Sequence, residues 1–295
     1  MQGHLFYGSA AALVTPFRGQ RVDYDALEKL IDWQIDSGTD ALVLLGTTGE
    51  PSTITPPERS AIIECAVSRV AGRLPLYAGT GANCTKTAVA QSAEAMRLGA
   101  DGLLVVTPYY NKASQSGLIE HYLTIADNVD IPIIVYNVPS RTGMNLLPET
   151  MLELAKHPLL CGYKDANASM AQSMRLFELV GDGIAIYGGN DDLALPMMAL
   201  GARGIISVAA NVVPEQMHAM TVGWLRGEIS ASRALQFSLL PLMRELFSDV
   251  NPIPVKAALA IMGRIENTLR LPLAPLDKEK AAALKKQLQR LRLIE

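Results

Sequence analysis

The sequence predicts a (β/α)8 TIM barrel followed by a C-terminal helical extension. Eight short apolar runs alternate along the chain with amphipathic stretches of helical period. Runs such as 41–45 and 103–106 lack the polar alternation of a half-exposed strand, which is typical of parallel strands covered on both faces. Eight such strands with intervening helices favour a closed barrel over an open doubly wound sheet.

The elements follow in order along the chain. The predicted strands span residues 10–15, 41–45, 76–79, 102–106, 133–136, 160–164, 185–187 and 204–207. Helical patterns lie between them; Leu118, Tyr122 and Ile125, for example, recur on one helix face. Glycines at 38, 99 and 201 each follow a predicted helix and precede a strand, where a left-handed glycine closes the helix.

Beyond an eighth barrel helix at 214–226, only helical patterns remain, at about 230–247, 254–262 and 277–293. The proline-rich segment 251–254 separates the first of these patterns from the second. The interpretation is a catalytic barrel at 1–227 and a C-terminal helical domain at 228–295. We expect this tail to serve structure or assembly rather than catalysis.

Composition excludes several classes of function. The chain of 295 residues is 49% apolar and carries a net charge of −3, so no basic field indicates nucleic acid or an anionic membrane. No uncharged apolar run approaches the ~20 residues of a membrane helix, and the N-terminus lacks a signal pattern. The three cysteines lie far apart without a CxxC pair, which fits a reducing cytosol. We expect a cytoplasmic protein.

The residues just past the predicted strands are the candidate active site, because barrel enzymes place their chemistry at that end. Tyr136 ends the fifth strand, Arg141 follows it, and Lys164 ends the sixth. A desolvated amine has a lowered pKa and becomes a nucleophile towards carbonyls, and a neighbouring phenol can move the protons. Alternatively, Lys164 is a strand-end residue and Tyr136 is part of the core.

Hydroxyls dominate the other strand ends. The turn 46–49 carries Thr47 and Thr48, and its N–H groups could hold a carboxylate or phosphate, although it could also be an ordinary strand-to-helix turn. Tyr109 and Tyr110 could contact a neighbouring subunit, where tyrosine is enriched. The carboxylates are expected at the periphery; they are Glu50, Asp165, Asp191 and Asp192.

None of the four histidines falls at a predicted strand end, so neither a catalytic metal nor a Ser-His-Asp triad is expected. The inventory suits Schiff-base chemistry on a small 2-oxo acid without a cofactor. A phosphate-binding barrel enzyme has only the faint support of Gly188 and Gly189. A non-catalytic metabolite-binding barrel would be expected to have lost the lysine, the tyrosine or the threonine pair.

Four motifs resemble the 4-hydroxy-tetrahydrodipicolinate synthase (dihydrodipicolinate synthase) family, within the pyruvate-dependent aldolases related to N-acetylneuraminate lyase. They are Gly-Thr-Thr-Gly-Glu at 46–50, Thr-Pro-Tyr-Tyr-Asn at 107–111, Tyr-Asn-Val-Pro-Ser-Arg-Thr-Gly at 136–143 and Asn-Pro-Ile-Pro-Val-Lys at 251–256. The resemblance extends over essentially the whole chain.

The resemblance implies that Lys164 forms a Schiff base with pyruvate, whose enamine attacks L-aspartate 4-semialdehyde in lysine and diaminopimelate biosynthesis. It implies a proton relay of Tyr136, Thr47 and Tyr110, with Tyr110 supplied by the partner subunit. Arg141 would bind the semialdehyde carboxylate and Thr48 the pyruvate carboxylate. Gly189 and Ile206 would line the pocket. The family is usually a homotetramer built as a dimer of dimers, and a homodimer is the alternative.

The sequence departs from the family pattern in three places. Residues 165–168 read Asp-Ala-Asn-Ala where Glu-Ala-Thr-Gly is typical. A Lys-Asp pair is commoner in related sugar-acid aldolases, which are the same-chemistry alternative, although Arg141 favours a second carboxylate. Residues 188–191 read Gly-Gly-Asn-Asp in place of Ser-Gly-Asp-Asp.

The third departure concerns the family's lysine-feedback site. Asn83 and Tyr109 match it, but Pro56, Arg59 and Thr87 stand at its usual histidine or glutamate positions. The chain lacks the acidic group that would pair with the ammonium of the effector. We therefore predict weak or absent feedback by lysine.

Overall fold

Eight parallel strands close into a barrel in the computed structural model, which describes residues 5–295. The barrel strands are β1 Gly8–Ala12, β4 Ala41–Leu44, β5 Leu76–Gly79, β6 Gly102–Val106, β7 Ile133–Asn137, β8 Gly162–Asp165, β9 Ala185–Gly188 and β10 Gly204–Ser207, and a small hairpin consists of β2 Phe17–Arg18 and β3 Arg21–Val22. The order around the barrel is β1-β10-β9-β8-β7-β6-β5-β4, and pairing of β1 with β4 closes it. The predicted fold class is confirmed.

The first strand differs from its prediction at 10–15. It ends at Ala12, because the next residues exchange ladder bonds for side-chain partners: the N–H of Val14 donates to Asn211 Oδ1 at 3.1 Å. The hydroxyl of Thr15 donates to the Gly49 carbonyl at 2.8 Å. The hairpin β2–β3 was not predicted, since strands of two residues are too short to show alternation.

Helices connect and surround the strands. In chain order they are α1 Tyr24–Asp36, α2 Pro56–Val70, α3 Thr85–Arg97, α4 Gln115–Ala126, α5 Pro139–Thr142, α6 Pro148–Leu154, α7 Met170–Val180, α8 Ala194–Ala199, α9 Pro214–Leu225, α10 Ile229–Glu245, α11 Ile253–Ile261 and α12 Lys278–Arg290. Gly38, Gly99 and Gly201 have φ of 80°, 98° and 111°, which confirms the predicted left-handed helix ends. No helix within residues 5–295 has both the length and the apolar character to cross a membrane.

An aromatic cluster fills one end of the barrel. Phe6 stacks on Tyr187 at 4.3 Å between ring centroids and also contacts Tyr77, and the Tyr187 hydroxyl donates to the Phe6 carbonyl. Tyr77 pairs in register with Gly102, the first residue of β6, and Tyr187 pairs with Gly204, the first residue of β10. The N-terminal end of the barrel is therefore packed shut, and the open end is the one where the strands finish.

The C-terminal helices follow a turn between α9 and α10, where the predicted boundary at 227/228 falls. α10 packs on α9, and α12 packs on both α10 and α11. The segment before α11 returns to the open end of the barrel, where Asn251 Nδ2 donates to Thr48 Oγ1 at 2.9 Å. The tail therefore contacts the open end of the barrel, which the sequence did not indicate, because pairing of a tail side chain with a strand-end residue 203 positions earlier leaves no local pattern.

Candidate active site

Lys164 and Tyr136 lie side by side in the open half of the barrel. They are register partners on β8 and β7, so their side chains point to the same face of the sheet. The Lys164 Nζ lies 4.4 Å from the centroid of the Tyr136 ring. Burial lowers the pKa of Lys164 to about 8; Asp191 opposes this shift, and the Arg141 guanidinium adds to it. A substantial neutral fraction at neutral pH makes this amine a competent nucleophile.

Tyr136 is equally buried, and desolvation raises the pKa of its phenol. Arg141 and a hydrogen bond with the Thr47 side chain act in the opposite direction on this pKa. The phenol therefore stays protonated near pH 7 and can both donate and accept a hydrogen bond. A tyrosine hydrogen-bonded to a threonine beside an amine is an arrangement able to move protons.

The turn after β4 faces the same space. Thr47–Gly49 form a short 3-10 helix, in which the Gly49 N–H donates to the Gly46 carbonyl at 2.8 Å and the Glu50 N–H donates to the Thr47 carbonyl at 3.3 Å. The N–H groups of Thr47 and Thr48 precede these bonds and take no part in them. Together with the Thr48 hydroxyl, they form a group of donors suited to an anion.

Arg141 lies at the mouth of the pocket on α5, the short helix that follows β7. Its Nη2 donates to the backbone carbonyl of Asn251 at 3.2 Å. The side chain of Asn251 in turn bonds to Thr48. One residue of the tail thus connects the cation at the rim with the donor-rich turn.

A cavity of about 190 Å³ lies between the Lys164 amine, the turn after β4 and Arg141, and its size suits a ligand of few heavy atoms. Six of the eight predicted site residues line it, and the tail adds Phe247 and Asn251; the six are Thr47, Thr48, Tyr136, Arg141, Lys164 and Gly189. Ile206 lies within the barrel interior packed with Tyr136, outside this lining. Tyr110 is 90% exposed on the surface. The assigned roles of these residues stay predictions.

None of the four carboxylates expected at the periphery lines the cavity, but three of them are buried in the protein. Asp165 is buried on the face of β8 opposite Lys164, where the Ser173 hydroxyl donates to its Oδ2 at 2.7 Å. Asp191 is buried and accepts the N–H groups of Val208 and Ala209 at 3.1 and 2.8 Å. Glu50 is also buried, and Lys256 Nζ lies 2.6 Å from its Oε1. Backbone and hydroxyl donors compensate for lost water, which is why these carboxylates can be interior.

Two consequences follow for the chemistry. Asp165 points away from the cavity, so the Lys164-Asp165 pair does not supply the pocket with a carboxylate. Asp191 is the carboxylate whose charge acts on Lys164, and sequence reasoning missed this because its burial depends on the turn after β10. Phe247 and Asn251 were also missed as lining residues, although Asn251 belongs to the family motif at 251–256.

The positions matched to the effector site lie on α2, on α3 and in the segments that follow β5 and β6. Arg59 is buried there, and its Nη1 donates to the Gly79 carbonyl at 2.7 Å. Asn111 Nδ2 donates to the Asn83 carbonyl at 2.9 Å. Within residues 5–295, no group of three or more histidine, cysteine, aspartate or glutamate side chains could hold a metal ion.

The chain is similar to known proteins along its whole length. The family model described as the Dihydrodipicolinate synthetase family matches residues 5–291. The 4-hydroxy-tetrahydrodipicolinate synthase of Alkaliphilus oremlandii is 46% identical over 290 residues, 98% of this chain and 100% of the relative. That of Caldicellulosiruptor bescii is 50% identical over 285 residues, 96% of each chain. The chloride-inhibited dihydrodipicolinate synthase of Acinetobacter baumannii, solved with pyruvate, superposes with a TM-score of 0.96 at 40% identity, covering 98% of this chain and 99% of that one.

Proposed function

The chain belongs to the dihydrodipicolinate synthetase family, and on that premise we propose that it is a 4-hydroxy-tetrahydrodipicolinate synthase. It condenses pyruvate with L-aspartate 4-semialdehyde, both small molecules, as a lyase of the lysine and diaminopimelate pathway. The observation that carries this proposal is the buried Lys164 amine, with its pKa lowered to about 8, beside the Tyr136 phenol in a small cavity.

In the first step, the neutral amine of Lys164 attacks the ketone carbon of pyruvate. The carbinolamine loses its oxygen as water, so an imine forms and one water leaves. Tyr136 protonates the departing oxygen, and Thr47, hydrogen-bonded to Tyr136, passes protons between the phenol and the cavity. Removal of a methyl proton then gives the enamine.

The two ends of the pocket hold the two carboxylates. The N–H groups of the turn and the Thr48 hydroxyl bind the carboxylate of pyruvate, which turns its ketone towards Lys164. Arg141 at the rim binds the carboxylate of the semialdehyde. The enamine carbon attacks the aldehyde and forms the new carbon–carbon bond. The amino group of the semialdehyde then displaces Lys164 from the imine carbon, which closes the ring and frees the amine.

Gly189 lies against the Lys164 side chain, and a methyl group there would come within 3.1 Å of Lys164 Cε. A glycine at this position leaves room for the lysine and its covalent intermediate. Ile206 is buried in the barrel interior, in the same apolar cluster as Tyr136. Both residues support the reaction through shape rather than through chemistry.

Self-association completes the proposal. Tyr110 is 90% exposed and has a left-handed φ of 73°. A tyrosine so exposed is suited to a subunit interface, and in a dimer it joins the proton relay of the partner. We assign the enzyme to a homodimer or a homotetramer built as a dimer of dimers. Its three free cysteines fit a reducing compartment, the cytoplasm.

Borohydride reduction in the presence of pyruvate, followed by intact mass measurement and peptide mapping, tests the chemistry. The same mixture with L-aspartate 4-semialdehyde is assayed for the cyclic product. We expect a pyruvate-sized adduct on Lys164 and formation of product. An adduct without product would instead support an aldolase acting on a sugar-derived 2-oxo acid. Absence of the adduct would refute the Schiff-base mechanism. Lys164→Met should form no adduct, and Lys280→Met, on the surface of α12, is its matched control.

A further inference from the structure

The turn Gly46–Glu50 is attached to the C-terminal tail at two points, one outside the cavity lining and the other at the cavity. We infer that Asn251 and Lys256 are positioning residues, which hold this turn in the geometry that binds the carboxylate of pyruvate. The inference rests on the proposed function, because it takes the anion in the turn to be pyruvate. It gives the tail a part in substrate binding.

The first attachment is an ion pair between Glu50 and Lys256. Lys256 Nζ lies 2.6 Å from Glu50 Oε1, and the two side chains are 0% and 1% exposed. Glu50 Oε2 also accepts the backbone N–H of Arg270 at 3.3 Å. An ion pair so fully withdrawn from water contributes little net stability, since desolvation of both charges offsets their attraction. Fixing one arrangement of the chain is the role that remains.

The backbone at Glu50 needs such a constraint. Glu50 has φ 55° and ψ 45°, a left-handed conformation that residues other than glycine rarely adopt. Such conformations persist when the surroundings determine them, and they cluster at ligand-binding positions. The carboxylate held by Lys256 and Arg270 supplies that determination at the end of the turn.

Lys256 and Arg270 both also contact the ring of Phe17. Lys256 Nζ lies 4.0 Å and Arg270 Cζ 4.4 Å from the centroid of the Phe17 ring. Arg270 also donates to the Thr53 carbonyl at 2.7 Å and to Glu58 at 2.8 Å. The tail therefore also holds the segment that follows Glu50. The cluster is electrically balanced, because the two carboxylates of Glu50 and Glu58 match the two cations of Lys256 and Arg270.

The second attachment lies at the cavity itself. Because Asn251 Nδ2 donates to Thr48 Oγ1, the hydrogen of that hydroxyl is free to donate to an anion. The carbonyl of Asn251 accepts from Arg141 Nη2. The same tail residue thus sets the distance between the donors for one carboxylate and the cation for the other.

Steady-state kinetics of Lys256→Met test the inference. The methionine keeps the length of the side chain and leaves the Glu50 carboxylate buried without its partner. We expect the KM for pyruvate to rise by about tenfold or more, since small displacements of binding groups are costly. The KM for the semialdehyde and the kcat at saturating substrates should change by less than about threefold. Lys280→Met, which removes a partly exposed tail pair with Asp249, is the control and should leave all three unchanged.

The double variant Glu50→Gln/Lys256→Met keeps the test decisive if Lys256→Met does not fold. It leaves no unpaired buried charge but still lacks the ionic attachment, so its KM for pyruvate should stay raised.

A lowered Tm with an unchanged KM for pyruvate, in either variant, would overturn the inference and leave the pair a purely structural feature. So would equal changes in both KM values and kcat. The wild-type borohydride experiment distinguishes failure of this inference from failure of the proposed function. A wild-type adduct with unaffected variants overturns this inference alone, whereas absence of a wild-type adduct overturns the proposed function and this inference with it.

Discussion

Lys164 and Tyr136 are register partners on adjacent parallel strands, and the Lys164 Nζ lies 4.4 Å from the centroid of the Tyr136 ring. The contact gives a desolvated amine an aromatic neighbour in place of water and leaves the phenol hydroxyl with Thr47. The amine and the phenol therefore have separate partners within one cavity.

Replacement of Tyr136 by phenylalanine removes the hydroxyl and retains the ring over Lys164. We expect the borohydride-trapped adduct to form about 10²- to 10³-fold more slowly, within the range for loss of general acid–base catalysis. Tyr122→Phe is the control, since its buried hydroxyl donates only to the Val105 carbonyl at 3.0 Å. That variant should lose about 1 kcal/mol of stability and keep its activity. Equal rates for Tyr136→Phe and wild type would refute the relay.

The rate of adduct formation should depend on pH through Lys164. The neutral amine is the nucleophile, and the pKa of Lys164 is lowered to about 8 by burial. The rate should rise by about tenfold per pH unit below that value and level off above it. Stopped-time borohydride trapping at fixed pyruvate measures the profile. An inflection near the ordinary lysine value of 10.5 would show an amine that is not desolvated.

The same lowered pKa links stability to pH. Between about 8 and 10.5 the unfolded chain holds a proton on Lys164 that the folded chain has released. The free energy of unfolding therefore gains a contribution as the pH rises through this window, and lacks it below pH 8. The gain approaches about 3 kcal/mol. Urea unfolding of wild type against Lys164→Met isolates it, because other titrating groups cancel; a constant difference between the two would contradict it.

Gly189→Ala should impair the enzyme through packing. The added methyl group would lie 2.7 Å from Ala166 Cβ, 3.0 Å from the Asp165 carbonyl oxygen and 3.1 Å from Lys164 Cε. Relief of these contacts displaces Lys164, at a cost of about 1–3 kcal/mol in stability and a slower adduct. Gly183→Ala meets no atom within 4 Å and should behave as wild type. Adduct formation at the wild-type rate in Gly189→Ala would show that the lysine has room to spare.

Lysine should inhibit this enzyme weakly or not at all. Arg59 occupies the effector region as a buried cation bonded to the Gly79 carbonyl, and a positive charge there opposes the ammonium of a lysine effector. Initial rates measured across a range of lysine concentrations test this. Inhibition at low millimolar lysine would contradict the prediction, and Arg59→Glu is the change that should favour lysine binding.

Much of the barrel could be predicted because its signals are local. An unbroken apolar run such as 103–106 predicts a covered strand, and a glycine such as Gly99 predicts the turn that precedes it. The boundary of β1 was missed, since side-chain bonds from Asn211 and Thr15 replace the ladder there. Those partners are set by the closed barrel and are invisible in a window of a few residues.

The sequence by itself determined the fold class and identified the lysine, tyrosine and threonines that stand at the strand ends around the cavity. Only the tertiary structure decided that Asp165 points away from the cavity, that Asp191 acts on Lys164, and that Lys256 anchors Glu50. Strand and helix patterns repeat over two to four residues, so they are legible in the chain. The pair Glu50–Lys256 joins residues 206 positions apart, and its two charges can be interior only because folding brings them together.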